Sequence, residues 1–154
     1  MEIHISNELS LIQKHAFLSL WNKEFPANIS YPDIVSFEDF LNELKEKKYY
    51  FIVENEQIVA MAMQFIREEE LWFSIIVRED YHGKKLGTAL LEKLKSASET
   101  LVGWVIDKPE YKTAKGKNYI PPISFYLKNG FQQIENVRFE NEKISAVKVK
   151  WIGI

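Results

Sequence analysis

A short polar segment carries the residue types best suited to chemistry, because it can bind an anion. It reads His82-Gly83-Lys84-Lys85-Leu86-Gly87-Thr88. If a strand precedes it and a helix follows it, the unpaired amides of the helix N-terminus share one concavity with the glycines, which allow close backbone approach and positive φ. The lysines add positive charge and Thr88 adds a hydroxyl, so a pyrophosphate would fit here.

The same segment has a simpler interpretation. Glycine also makes the bend of an ordinary strand-helix connection, lysine also keeps a surface turn soluble, and a pair of glycines is a weak signal by itself. The spacing matches neither the Walker phosphate loop nor the dinucleotide fingerprint, since neither Gly-Lys-Ser/Thr nor Gly-x-Gly-x-x-Gly occurs there. Residue types and spacing alone leave both interpretations open.

Cysteine and histidine usage excludes several kinds of site. The chain has no cysteine, which excludes a disulfide framework, a thiolate zinc site and a cysteine nucleophile. Its three histidines are scattered, and nothing in the sequence indicates a metal site. His82 is placed either to contact a phosphate or to be solvated, whereas we expect His4 and His15 to be structural or surface residues.

Length and charge indicate the class of protein. The chain has 154 residues, the size of one compact domain, so we expect a single domain over residues 1–154. A formal charge of -2 gives no general attraction to phosphate backbones, and a nucleic-acid partner is not favoured. No apolar run reaches the roughly 18 residues of a membrane span, and the first residues do not resemble a leader. We predict a soluble cytoplasmic protein without a membrane partner.

Apolar spacing predicts two helices near the start of the chain. The first covers residues 9–25 and is ended by Pro26, and the second begins with Ser36 as its N-cap. Three strand-like runs follow over residues 49–53, 58–66 and 71–77. Their short polar connections are typical of antiparallel neighbours. The apolar stripe of the first helix comprises Leu9, Ile12, Ala16, Phe17, Leu20 and Trp21.

The second half of the chain alternates helices and strands. A helical stripe from Leu86 to Ala97 leads to a strand over 101–106, which we expect to lie parallel to the strand before that helix. After the charged loop 107–118, a short helix runs to Asn129, with Gly130 as a left-handed cap. A hairpin over 131–138 and 144–151 closes the chain, and residues 3–6 are a candidate added strand. The predicted fold class is α/β, with a mixed, mostly antiparallel central sheet and helices on both faces.

Two segments resemble the GNAT superfamily of acetyl-CoA-dependent N-acetyltransferases. Residues 77–91 look like its acyl-CoA binding segment, whose core is Gln/Arg-x-x-Gly-x-Gly/Ala, and residues 124–131 are similar to its aromatic-Tyr-x-Lys-x-Gly-Phe ending. Two matches in the family's order are more specific than either alone, and the predicted element order agrees with that fold. His82 stands where Gln or Arg is usual, and Lys85 stands where the middle glycine is usual.

The resemblance implies a site for acetyl-CoA as co-substrate, with no metal. Backbone amides of the turn at residues 82–88 would hold the diphosphate, and the turn tolerates the departure at Lys85 if this residue keeps helical φ and points outward. The pantetheine arm would insert into a splay between the strands over 71–77 and 101–106. The backbone of Ile75, Ile76 and Val77 would hold the arm, and one amide there would polarise the thioester carbonyl.

The resemblance also implies a proton donor. Tyr126 lies four residues before Gly130, where the family places the tyrosine that protonates the departing thiolate. Alternatively, Tyr126 packs a short helix on the sheet, as Phe125 and Phe131 do. The family's asparagine that contacts pantetheine falls at Tyr119 here, so Asn118, one place earlier, is the candidate for that contact.

The base and the acceptor are not identified by the sequence. The carboxylates beside the turn and before the central strand are either candidate bases or solvated surface acids. A water chain relieved by backbone carbonyls would need no side chain as the base. The lysines of loop 107–118 would meet the 3′-phosphate of CoA or an anionic acceptor, or are simply solvated. Trp21, Tyr31 and Trp72 line an acceptor pocket or belong to the core. The candidate bases are Glu69, Glu70, Glu79 and Asp80.

The leading hypothesis is an N-acetyltransferase that transfers the acetyl group directly to a primary amine of a small molecule or peptide. The rival, from another class, is a non-catalytic module that senses acyl-CoA or binds a partner, and it is motivated by the departures at His82 and Lys85. A homodimer paired through an edge strand of the closing hairpin is a further expectation.

Overall fold

The computed structural model describes residues 1–153, which form a mixed sheet of seven strands flanked by helices. Two single turns of 3-10 helix, Ala27–Ile29 and Glu79–Tyr81, lie in connections. None of the helices within residues 1–153 has the length and apolar character that a membrane crossing requires. In chain order the elements are β1 (Ile3–Ser6), α1 (Leu11–Glu24), α2 (Ile34–Glu43), β2 (Lys45–Glu54), β3 (Gln57–Arg67), β4 (Glu70–Val77), α3 (Leu86–Ser96), β5 (Thr100–Val105), α4 (Ile123–Lys128), β6 (Gln132–Glu140) and β7 (Ser145–Ile152).

The sheet has the strand order β1-β2-β3-β4-β5-β7-β6. Strands β2, β3 and β4 form the predicted antiparallel meander, and β5, reached through α3, is parallel to β4 as expected. The closing hairpin adds β7 next to β5 and leaves β6 at the edge. The predicted fold class is therefore confirmed.

The predicted start of each N-terminal helix is wrong by a few residues. Helix α1 begins at Leu11, because Ser10 and Gln13 form a reciprocal capping box. Helix α2 begins at Ile34, because Asp33 is its N-cap and its carboxylate accepts a 2.8 Å hydrogen bond from the Ser36 amide. Ser36 is thus a donor in the first turn rather than the cap.

The apolar stripe predicted for the first helix is only partly correct. Phe17 and Leu20 are fully buried, and Leu9 is buried just before the helix begins. Ile12, however, is 83% exposed. Its spacing fits the stripe, but near the start of the helix it has no neighbouring element to pack against.

The core has two layers, one on each face of the sheet, and β4 contributes to both by alternation. Phe73, Ile75 and Val77 pack with α3 and α4 on one face. Trp72 and Ile76 pack with α1 and α2 on the other. Each face of β4 is therefore covered by a different helix pair.

Loop 107–118 is folded back on itself rather than extended. Lys112 and Asn118 form an antiparallel bridge, and the Tyr119 amide donates a 2.9 Å hydrogen bond to the Tyr111 carbonyl. The Ala27 amide donates a 2.8 Å hydrogen bond to the Lys112 carbonyl. The loop is thereby attached to the connection between α1 and α2.

Candidate active site

Strands β4 and β5 are neighbours, yet they are paired at only one position, Trp72 with Val102. On its other side β4 is paired with β3 along its whole length, from Glu70 to Val77. Near the single pair the strands remain close, since a Cβ added at Gly103 would lie 3.1 Å from the Phe73 ring. Beyond it, the edge of β4 that faces β5 has no strand partner, and this opening lies where the sequence predicts the splay.

The turn after β4 leads the chain from this opening into α3. Gly83 has φ of 80° and Lys85 has φ of 63°, so the chain twice takes the left-handed conformation before the helix begins. Lys85 is the N-cap of α3, and its side chain makes no capping hydrogen bond. The first amides of α3 are therefore not capped by this side chain and are open to an anion.

The condition that Lys85 keeps helical φ is not met, since its φ of 63° lies in the left-handed region. The chain must reverse sharply here, and the left-handed conformation that achieves this normally favours glycine. The position is the one at which the family has its middle glycine. Lys85 adopts the glycine conformation and remains exposed, as predicted for its side chain.

His82 connects the turn to the end of β4. Its Nε2 lies 2.8 Å from the carbonyl oxygen of Val77. Because a carbonyl only accepts, Nε2 carries a proton and donates it to this hydrogen bond. His82 itself is exposed, so its ring lies at the outer end of the opening.

The remaining residues of the turn divide into core and surface. The Leu86 side chain is buried, so only its backbone can meet a ligand. Gly87 lies under α4, where an added Cβ would be 3.6 Å from the Phe125 ring. Lys84 is exposed, with Nζ 4.7 Å from the centre of the Tyr81 ring, and Thr88 is half-buried.

The acids beside the turn are engaged with cations, which makes them poor bases. Asp80 accepts hydrogen bonds of 2.7 and 3.0 Å from Arg78, and this contact lowers the pKa of its carboxyl group. Glu79 accepts a 2.8 Å hydrogen bond from Lys117, which likewise lowers its pKa. Of the other two candidates, Glu70 is bonded to Lys148 at 2.6 Å, and Glu69 lies in the β3–β4 turn.

Glu24, at the end of α1, is an acid near the site that the sequence reasoning missed. Its Oε2 accepts a 3.3 Å hydrogen bond from the Glu79 amide, and partial burial raises the pKa of the carboxyl group despite the nearby His82 and Lys115. No spacing in the sequence relates residue 24 to residue 79. Only the packing of α1 across the end of β4 brings them together.

Tyr126 lies in α4 and is buried among aromatic rings. The centres of the Phe125, Phe131 and Phe73 rings lie 5.1, 5.4 and 5.6 Å from its own. Burial, and secondarily the nearby Tyr119, raise the pKa of the Tyr126 hydroxyl. The phenol therefore stays protonated near neutral pH and retains a proton that it can donate.

The other predicted contact residues are engaged elsewhere in the protein. The Asn118 side chain is exposed and accepts a hydrogen bond from the Lys112 ammonium within the loop. Trp21 and Tyr31 pack together in the aromatic cluster of α1 and α2, with ring centres 5.5 Å apart. Trp72 is buried beside Trp104, at 5.2 Å. Across residues 1–153, no three His, Asp or Glu side chains are grouped to hold a metal ion.

Comparison with solved structures shows the fold. An aminoglycoside 6′-N-acetyltransferase complexed with coenzyme A matches with a TM-score of 0.74 and 14% identity, covering 100% of this chain and 98% of the other. The ribosomal-protein-S18-alanine N-acetyltransferase of Escherichia coli matches at 0.64 and 20%, covering 99% and 96%. An acyl-CoA N-acyltransferase of Pseudomonas aeruginosa matches at 0.71 and 14%, covering 97% and 98%.

No curated protein sequence matches the chain significantly. The family model for the acetyltransferase (GNAT) domain, however, matches residues 45–133. That range is more than half of the chain and includes the opening, the turn and α4. The chain therefore belongs to the GNAT acetyltransferase family and is an acetyl-CoA-dependent acyltransferase.

Proposed function

We propose that this protein transfers an acetyl group from acetyl-CoA to a primary amine of a small molecule or peptide, directly and without an acyl-enzyme. The observation that carries the proposal is the opening between β4 and β5 beyond the pair Trp72–Val102, which leads into the left-handed turn before α3. An extended arm and an anionic head would each find unpaired backbone groups there.

In this proposal the backbone provides most of the cofactor contacts. Amides between His82 and Thr88 bind the diphosphate, and Lys84 adds a positive charge beside them. The edge of β4 from Ile75 to Val77 pairs with the pantetheine arm as a strand would. One amide of that edge donates to the thioester oxygen and stabilises the negative charge that develops on it during attack.

Tyr126 acts as the general acid. The amine nitrogen attacks the thioester carbon, the new C–N bond forms as the C–S bond breaks, and the departing thiolate takes the phenolic proton of Tyr126. The nitrogen loses one proton to solvent, which returns a proton to the tyrosine. The net products of the reaction are one amide and one free thiol. Its raised pKa keeps the hydroxyl protonated at the start of the reaction but makes it a weaker acid than an ordinary phenol, so the transfer depends on the return of a proton from solvent.

Similar proteins support an amine as the acceptor class. Two of the structural matches are named for their acceptors, an aminoglycoside and the alanine of a ribosomal protein. These acceptors differ in size, so the proposal for this chain covers amines of both small molecules and peptides.

The test has two parts. Acetyl-CoA should raise the unfolding temperature, and free thiol should appear when the protein is mixed with acetyl-CoA and one of a panel of polyamines, amino acids, aminoglycosides and peptides. A thermal shift without turnover on any amine would favour the non-catalytic acyl-CoA sensor. Absence of both responses would contradict the proposed site.

A matched pair of variants locates the binding. Lys84→Glu reverses a charge at the proposed diphosphate turn. Lys93→Glu makes the same change in the last turn of α3, at the other end of the helix that follows this turn. Lys84→Glu should weaken acetyl-CoA binding by roughly tenfold, because a surface charge acts mainly within about one Debye length. Lys93→Glu should leave the affinity near that of the parent. Equal effects would place the diphosphate elsewhere.

Two further proposals concern the surroundings of the enzyme. We propose a homodimer paired along β6, whose outer edge has no partner strand within residues 1–153 and whose Phe139 is 44% exposed. Size-exclusion chromatography with light scattering tests it, and a monomer at all concentrations would contradict it.

A cytoplasmic location remains a prediction from the sequence, which cell fractionation tests.

A further inference from the structure

Ser74 in β4 has a buried hydroxyl oxygen that makes no hydrogen bond. Among residues 1–153 the only other buried side-chain oxygen or nitrogen without a partner belongs to Ser98. Buried polar groups are nearly always paired, because a buried hydroxyl without a partner has lost its hydrogen bonds to water. The Ser74 hydroxyl therefore calls for an explanation.

The position of Ser74 is directly relevant to the opening. It lies two residues after Trp72, where pairing between β4 and β5 stops, and immediately before Ile75, where the proposed contacts with the arm begin. It is opposite Met63 of β3. Ser74 is thus at the inner end of the gap, where the reacting end of the arm would lie.

The Ser74 side chain points to the face opposite the one from which the cofactor arrives. Trp72 and Ile76, which share its face by alternation, pack under α1 and α2, whereas the diphosphate turn leads into α3 on the other face. An acceptor held between this face of β4 and the α1–α2 pair would lie beside Ser74. The side chains packed on this face are apolar and aromatic, and among residues 1–153 none is a hydrogen-bond partner of the Ser74 hydroxyl.

We propose that the Ser74 hydroxyl binds the attacking amine of the acceptor. The inference rests on the proposed function, in which the acceptor is a primary amine. The Ser74 oxygen accepts a hydrogen bond from one N–H of the neutral amine, which leaves the nitrogen lone pair directed at the thioester carbon. Serine neither loses its proton nor forms a covalent bond in this step, so the proton balance of the reaction is unchanged.

The side chain can reach this role without a change in the backbone. Ser74 as a residue is half-buried rather than fully buried, and no hydrogen bond holds its current rotamer. Another staggered position about χ1 can therefore be adopted without moving the backbone. The amine then satisfies a hydroxyl that is otherwise unpaired.

Ser74→Ala removes the hydroxyl, and Ser98→Ala is the matched control. Ser98 also carries an unpaired buried hydroxyl, but it precedes β5 at the end of the sheet away from the gap. Both alanine variants should be at least as stable as the parent in urea unfolding, since each loses an unpaired polar group. Only Ser74→Ala should lower kcat/KM for the acceptor, by about tenfold, with acetyl-CoA affinity unchanged.

Ser74→Thr completes the test, because it restores a hydroxyl on a β-branched residue that suits a strand. It should recover most of the lost kcat/KM. Wild-type kcat/KM in Ser74→Ala overturns the proposal while the proposed function stands, and so does equal loss in the alanine and threonine variants. If the parent releases no thiol with any amine of the panel, the proposed function fails and the role of Ser74 fails with it.

Discussion

At the scale of single residues, the surroundings of Tyr126 determine what its hydroxyl can do. Three phenylalanine rings pack around it, and burial raises its pKa. The same burial disfavours the phenolate. Tyr126 can therefore donate its proton to the thiolate only if a proton from solvent replaces it at the same time. The sequence shows the aromatic neighbours in α4, but Phe73 arrives from β4 through the fold.

Tyr126→Phe removes the proposed acid and preserves the ring packing. Turnover should fall by about 10²-fold or more, because the thiolate would then leave unprotonated. Acetyl-CoA affinity should change little. Thiol release under saturating substrates measures the first effect, and calorimetry measures the second.

The control for this prediction is Tyr119→Phe. Tyr119 is a neighbour whose pKa is also raised by burial, so the variant removes a similar hydroxyl a short distance away. Its effect on turnover should be much smaller. An unchanged rate in Tyr126→Phe, or equal losses in both variants, would remove Tyr126 from the mechanism.

At the scale of elements, periodic segments could be predicted and their ends could not. The meander, the parallel β5 and helix α3 follow from apolar spacing and connection length. The start of α2 could not be predicted in this way, because Asp33 and Ser36 are both residue types that favour an N-cap position. Asp33 is the cap because its carboxylate accepts a hydrogen bond from an amide in the first turn. Ile12 is a second example. Apolar periodicity predicts which residues share one face of a helix, but not which part of that face another element covers.

The turn before α3 could be predicted from the sequence, but its backbone geometry could not. Amides of consecutive residues are brought together by local sequence alone, which is why the motif can be recognised. Lys85 departs from the motif. The sequence does not show whether the backbone there keeps the left-handed conformation that suits glycine or adopts one that suits lysine. The structure keeps the left-handed backbone and places a lysine in it.

Replacing Lys85 by glycine should therefore stabilise the protein. The left-handed conformation costs a non-glycine residue roughly 1–2 kcal/mol, whereas glycine loses about 0.5–1 kcal/mol more chain entropy on folding. The net gain should be about 0.5–1 kcal/mol in urea unfolding. Lys84→Gly is the control, since Lys84 is not among the residues with positive φ and should lose stability. A loss of equal size in both variants would show that Lys85 is not strained.

At the scale of the whole molecule, the site joins parts of the chain that no local pattern connects. Helix α1 supplies Glu24, the turn after β4 supplies Glu79, and loop 107–118 supplies Lys117. Each is an ordinary surface residue in the sequence. Their contacts arise because α1 and the loop both pack over the ends of β4 and β5, which is a property of the assembled fold.

Charge contacts spread over the molecule set how its stability depends on pH. Hydrogen bonds lower the pKa of Asp33, Glu79, Asp80 and Asp107, the last through two bonds from Arg138 at 3.0 and 3.1 Å. The unfolded chain binds protons to such groups more readily, so their contribution is lost as pH falls through their pKa values. Glu24 has the opposite sign, because burial raises its pKa and protonation favours the folded state.

The urea midpoint should therefore rise slightly as pH falls from 7 toward 5 and then fall below about pH 4, where the carboxylates with lowered pKa take up protons. Glu24→Gln should remove the rise, because glutamine keeps the oxygen that accepts from the Glu79 amide but does not titrate. Asp107→Asn should lower the urea midpoint at pH 7, because asparagine lacks the negative charge that strengthens the hydrogen bonds from Arg138. It should also reduce the decrease of the midpoint below pH 4, because asparagine takes up no proton there. A midpoint that rises continuously down to pH 3 would contradict the sign assigned to the four lowered groups, and a Glu24→Gln curve parallel to that of the parent would contradict the sign assigned to Glu24.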